Sequence, residues 1–139
     1  MKTLLSYIGV LLFLISCNPS ESDVAGTYVK QPSIHTIDSL FIYVNSLQST
    51  KVHNRKVFKY KQILYNKRTR ELLFENNGTW WLDNEQVELM HFYFDADNNS
   101  DERSYTKEAL ENAVTLFSTE LDGENIIVEK GVFYKKIKE

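Results

Sequence analysis

The chain has 139 residues, with 16 Lys and Arg against 19 Asp and Glu and a formal net charge of −3. That balance offers no basis for nucleic-acid binding at the level of the whole chain. A single cysteine excludes an intramolecular disulfide, while eight Tyr, eight Phe and two Trp against two Pro and five Gly point to a β-rich, well-packed domain.

Met1 and Lys2 form a short basic start, and Leu4 to Ile15 is an apolar run broken only by Ser6 and Gly9. A bilayer span needs about 20 apolar residues, so this run is too short to cross. It has the length of the hydrophobic region of a signal peptide. It ends on Leu14-Ile15-Ser16-Cys17, which resembles the lipobox of bacterial lipoproteins: an aliphatic residue, a variable one, a small one, then cysteine. The resemblance implies that residues 1–16 are removed, that the Cys17 sulfur carries a diacylglycerol and that the new amino terminus is acylated. One acyl chain binds a membrane marginally and several hold firmly, so the implied partner of Cys17 is the membrane itself. Asn18, where many inner-membrane lipoproteins carry Asp, implies the outer membrane of a Gram-negative-type cell envelope, on its periplasmic or surface face. Glu21 and Asp23 close behind the cysteine also resemble surface-export signals. Residues 17–25, polar and proline-bearing, read as the lipidated cysteine and its tether. Residues 26–139 then form one domain.

Within that domain, Gly26 to Gln31 is a short β-type run ended by Pro32. Asp38 to Ser46 is apolar on both faces through Leu40, Phe41, Ile42, Tyr43 and Val44, which predicts a central strand. Val57 to Tyr65 alternates, with Phe58, Tyr60 and Leu64 on one face and Lys59 and Lys61 on the other. Asn66 to Thr69 predicts a turn, and Arg70 to Glu75 a returning strand with Leu72 and Phe74 on one face. Asn77-Gly78 predicts a tight hairpin, since both residues accept positive φ. Thr79 to Asp83 follows, then a turn at Asp83-Asn84 and a long aromatic strand over Gln86 to Asp95. A helix is expected over 105–112, where Tyr105, Ala109 and Leu110 recur at helical spacing. Thr115 to Leu121, a hairpin at Asp122-Gly123, Glu124 to Lys130, a break at Gly131 and Val132 to Ile137 complete the chain.

The expected fold is therefore mainly β, an antiparallel meander of eight or nine strands with one short helix. Such a meander removes its edges best by closing into a barrel. Gly78-Thr79-Trp80 resembles the Gly-x-Trp signature of lipocalin-like barrels, and Gly26-Thr27-Tyr28 stands at the first strand, where that family carries it. The first copy has Tyr28 in place of Trp, and the fuller copy lies mid-chain. The resemblance implies a small lipocalin-like barrel lined by Phe58, Tyr60, Leu72, Phe74, Trp80 and Phe92, either around a small apolar ligand or filled as a core.

Trp80 and Trp81 must face opposite ways in a strand; Trp80 is expected in the core and Trp81 partly exposed, as cover for strand edges or as a contact anchor. Between Lys51 and Arg70 stand eight Lys or Arg and no acid, whereas Glu75 to Glu129 holds fourteen acids against Arg103 and Lys107. Lys67, Arg68 and Arg70 therefore offer a basic turn to an anionic partner, although an ordinary solvated face accounts for the same pattern. The acidic run 95–102 departs from the EF-hand template at Ser100 and Thr106 and reads as a hydrated loop. His35, His53 and His91 lack metal spacing. With no nucleophile elbow and Cys17 acylated, no enzyme, metal or cofactor is expected. Two functions remain: a membrane-anchored lipoprotein that binds a small apolar ligand or acts as a scaffold, or a protein-interaction module such as an envelope immunity protein against a toxin.

Overall fold

The computed structural model describes residues 18–45, 50–52, 55–92 and 116–138. The leader, Cys17, the acidic run 95–102 and the helix expected over 105–112 lie outside the described residues. The elements in order are α1 (Glu21–Val24), β1 (Gly26–Gln31), β2 (Thr36–Ile42), β3 (Thr50–Val52), β4 (Arg55–Asn66), β5 (Leu72–Asp83), β6 (Gln86–Met90), β7 (Leu116–Asp122), β8 (Asn125–Glu129) and β9 (Val132–Lys136).

Alternation of side chains builds the sheet. β2 buries Thr36, Asp38, Leu40 and Ile42, and β4 buries Phe58, Tyr60, Gln62, Leu64 and Asn66 while Lys59 and Tyr65 stay exposed. Each of these strands offers one row to a shared interior. Apart from β2 and β3, consecutive strands pair antiparallel; β1 also pairs with β9, and β2 with β4. The result is a closed eight-stranded antiparallel barrel, with β3 paired to β4 outside the ring. Closure leaves no unpaired edge in the ring. The core is aromatic: Trp80, Tyr28, Tyr60, Tyr134, Phe58 and Phe92 are all fully buried. Trp80 takes the core place expected of it, and its indole N–H donates to the Tyr43 carbonyl at 3.0 Å.

One end of the barrel, the near end, carries the start of β1, the β5–β6 and β7–β8 turns and the end of β9. The tether expected to run free to residue 25 instead folds here as α1. The Ser20 backbone N–H and hydroxyl both donate to the Asp23 carboxylate, at 2.8 and 2.7 Å, a capping arrangement that holds the Asp23 carboxyl below its ordinary value. Val24 is fully buried; its carbonyl accepts from the Tyr28 hydroxyl at 2.5 Å, and the Lys136 ammonium donates to the Asp23 carbonyl at 2.8 Å. A lone valine among polar residues thus closes the near end because the barrel supplies an apolar seat.

The far end carries the β1–β2, β4–β5 and β8–β9 connections. The β4–β5 turn is built by Asn66, whose side-chain oxygen accepts from the N–H groups of Arg68 and Thr69 at 2.9 and 3.0 Å. Asn66→Ala is expected to lower stability by about 1–2 kcal/mol through loss of both bonds, with Asn66→Asp retaining most of it. An unchanged urea midpoint in the alanine variant would contradict this account of the turn.

The turns expected at Asp83-Asn84, Asp122-Gly123 and Gly131 are present, with Asn84, Gly123 and Gly131 all at positive φ. The hairpin expected at Asn77-Gly78 is not. β5 runs unbroken from Leu72 to Asp83 through both residues. Gly78 pairs with Tyr60 across the β4–β5 ladder, and a Cβ at 78 would collide with the Tyr60 ring and the Met90 carbonyl. Here glycine makes room for a ring. The long strand expected from Gln86 ends at Met90, because His91 turns to φ +62°.

Candidate functional site

Of the six residues expected to line the interior, five do so. Phe58, Tyr60, Phe74, Trp80 and Phe92 are buried, each at 9 % exposure or less. Phe58 stacks on Trp80 with ring centroids 5.2 Å apart, and Phe92 meets Tyr60, Phe117 and Tyr134 at 6.3, 5.4 and 5.9 Å. Leu72 is the exception. The β4–β5 register shifts so that Leu64 faces Phe74 while the next residue, Tyr65, faces Leu72. One extra residue on β5 reverses the alternation there, and Leu72 points outward at 50 % exposure.

Toward the far end the interior changes character. Lys30 on β1, Asp38 on β2, Gln62 on β4 and Tyr134 on β9 are all buried, and they converge. The Tyr134 hydroxyl donates to Asp38 Oδ2 at 2.6 Å, the Gln62 amide donates to both Asp38 oxygens at 3.3 Å, and the Lys30 ammonium stands 3.7 Å from Oδ2. The Gln62 amide also reaches the Tyr134 oxygen at 3.3 Å. Burial raises the Asp38 carboxyl above its ordinary value, while Lys30, Tyr134 and Gln62 pull it back. Burial, reinforced by the Asp38 charge, raises the Tyr134 hydroxyl well above its own. Burial likewise raises Tyr60, and raises Tyr28 to about 12, so these hydroxyls act as donors rather than titrating groups. The four residues join strands that lie far apart in sequence into one polar knot.

Sequence reasoning passed over this knot. The signal was present in part: Lys30 shares a face with Tyr28, and Asp38 with Leu40, so each charge sits on an inward row. Comparison with protein-family models, curated proteins and solved structures found no match. The Asp38 carboxylate already has three partners, and none of the four side chains reaches solvent to meet a substrate. The arrangement can fix strand positions and hold a buried Lys–Asp pair between them. Among the described residues, no group of three His, Cys, Asp or Glu could hold a metal ion.

The residues expected to contact a partner do not come together. Lys67, Arg68 and Arg70 are exposed on the far-end turn, whereas Trp81 lies toward the near end of β5. Trp81 lies eleven positions along the chain from Arg70, a span of roughly 35 Å at about 3.3 Å per residue. Trp81 is partly buried and pairs with Glu88 on the outer face of β5 and β6; Glu88 in turn accepts from the Ser118 hydroxyl at 2.6 Å. The Trp81 indole N–H is buried with no hydrogen-bond partner among the described residues. At the near end, Gly26, Glu124, Lys136 and Ile137 border an open surface cleft of about 390 Å³.

Proposed function

We propose that the chain is a lipid-anchored protein of a bacterial cell envelope, held by an acylated Cys17, whose barrel serves as a protein-interaction module. The module reading is carried by one observation: the interior rows are occupied by large side chains in mutual contact, with Phe92 wedged among Tyr60, Phe117 and Tyr134. A small-molecule carrier needs a concave site of about 300–1,000 Å³ lined by such residues. Here five of the six candidate lining residues are buried in the core instead. Rings that pack on one another across the interior support the outer surface as the part of the barrel that meets a partner.

The anchor reading rests on Leu14-Ile15-Ser16-Cys17, and the position of α1 gives it a geometric consequence. The first described helix is capped at Ser20, three residues beyond Cys17. At about 3.3–3.6 Å per residue, the near end of the barrel would sit within about 11 Å of the acylated residue.

Cys17→Ser is expected to move the protein from the membrane fraction to the soluble one. Continued acylation or membrane retention in that variant would remove the lipoprotein reading. For the barrel, titration with a fluorescent fatty acid is expected to show no saturable one-site binding. Saturable binding that Phe92→Trp blocks would favour a lipocalin-like carrier over an interaction module.

A further inference from the structure

At the far end, on the side formed by β2, β4 and β5, three large apolar side chains stand in solvent. Ile34 is 59 % exposed, Leu72 is 50 % and Tyr65 is 36 %. The β5 bulge is what sets Leu72 outside, directly across from Tyr65, which is itself paired on its other side with Ile37 of β2. Three neighbouring strands thus contribute Ile37, Tyr65 and Leu72 to one outward row. Bulges commonly re-aim a side chain at a functional surface; here the re-aiming exposes a leucine that an unbroken ladder would have buried beside Phe74.

Basic groups border this row. Arg68 and Arg70 are exposed on the β4–β5 turn and make no ion pair among the described residues. The turn is held rigidly: Asn66 accepts from Arg68 and Thr69, the Lys67 N–H donates to the His35 carbonyl at 2.9 Å, and the Lys67 ammonium donates to the Ser33 carbonyl at 2.7 Å. Those last two bonds tie the turn to the loop that carries Ile34. A surface ordered before binding loses little entropy on contact. Tyr and Arg around an apolar centre are also the composition enriched in interface cores.

We propose that this surface docks an acidic segment of a partner protein, which buries an apolar side chain against Tyr65 and Leu72 while its carboxylates pair with Arg68 and Arg70. The proposal rests on the interaction-module reading and narrows it to one face and one partner chemistry. Charge selects the partner: the exposed turn presents Lys67, Arg68 and Arg70 against the single acid Glu71. Position favours protein over lipid, because the surface lies at the opposite end of the barrel from α1 and from the residue expected to enter the membrane.

The test uses the full lipidated chain in its native membranes, with a photoreactive benzoylphenylalanine placed at Leu72 or, on the exposed outer face of β7, at Glu120. Protein adducts are expected from position 72 and not from 120, mapping to a partner peptide rich in Asp or Glu. Their yield is expected to fall by about tenfold in Arg68→Glu/Arg70→Glu, whose exposed side chains leave the unfolding midpoint unchanged. A probe at Tyr65 should show the same loss in Leu72→Ser. Lipid adducts, adduct peptides without acids, or yields indifferent to these substitutions would overturn the proposal. Adducts from 120 alone would overturn this surface and leave the module reading standing; no protein adduct from any outward position would remove both.

Discussion

Replacing Lys30 with methionine is expected to cost about 3–5 kcal/mol at neutral pH and little near about pH 4. Methionine fills a similar unbranched volume, so the change removes a charge more than it opens a hole. Lys30 and Asp38 are 6 % and 3 % exposed, and water cannot stand in for either partner. In the variant Asp38 keeps the Tyr134 hydroxyl and the Gln62 amide as donors but loses its cation.

The direction with pH follows from the carboxyl. Burial already raises Asp38 above its ordinary 3.8, and Lys30 is the strongest of the influences that oppose this. A native value above the unfolded one means that the folded chain holds its proton longer. Stability is then greatest below the unfolded value and is lost as pH rises through the native one. Lys30→Met moves the native value further up, so its loss is deeper and continues to higher pH than in the parent. Asp38→Asn has no such window. Lys30→Met/Asp38→Asn needs no cation and keeps a carbonyl oxygen for the Tyr134 hydroxyl, so it should recover most of the single-variant loss. Urea unfolding across about pH 4–8 measures all four proteins. A Lys30→Met protein with parental stability and slope throughout would exclude a paired charge inside the barrel.

That knot also marks where sequence reading stopped. β1 was legible to its end residues, and β7, β8 and β9 to within a residue or two, because their hairpins turn at Asp122-Gly123 and Gly131. Lys30 and Asp38 were each legible as members of inward rows. Their meeting was not, since it depends on β1 closing against β9 and β2 against β4 across a ring. Leu72 was assigned its face by counting from Phe74, and a single extra residue in the ladder defeats counting. Val24 reads as an incidental valine until a barrel end exists for it to fill. In each case the missing information was a long-range contact, while the local patterns themselves were sound.

Gly78 shows the same conflict between local motif and distant partner, and its substitution should be nearly as costly. Gly78→Ala is expected to lower stability by about 2–4 kcal/mol, as overpacking of about 1–3 kcal/mol plus a lost hydrogen bond of about 1 kcal/mol. The Tyr60 ring lies over Gly78 so that its hydroxyl can donate to the Met90 carbonyl at 2.9 Å, while its edge meets Phe92. A methyl at 78 would push the ring aside, break that bond and disturb the Phe92 contact. Tyr60→Phe, which keeps the ring and loses only the hydroxyl, is expected to cost about 1 kcal/mol. The decisive measurement is Gly78→Ala in a Tyr60→Ala background. If Asn77-Gly78 were a hairpin turn, the alanine penalty would come from backbone conformation and would not depend on residue 60. In a continuous strand the two sites couple: removing the ring should shrink the Gly78→Ala penalty, though not abolish it, because the Met90 carbonyl still crowds the new Cβ. Strict additivity between positions 60 and 78 would return Asn77-Gly78 to the turn that its sequence suggests.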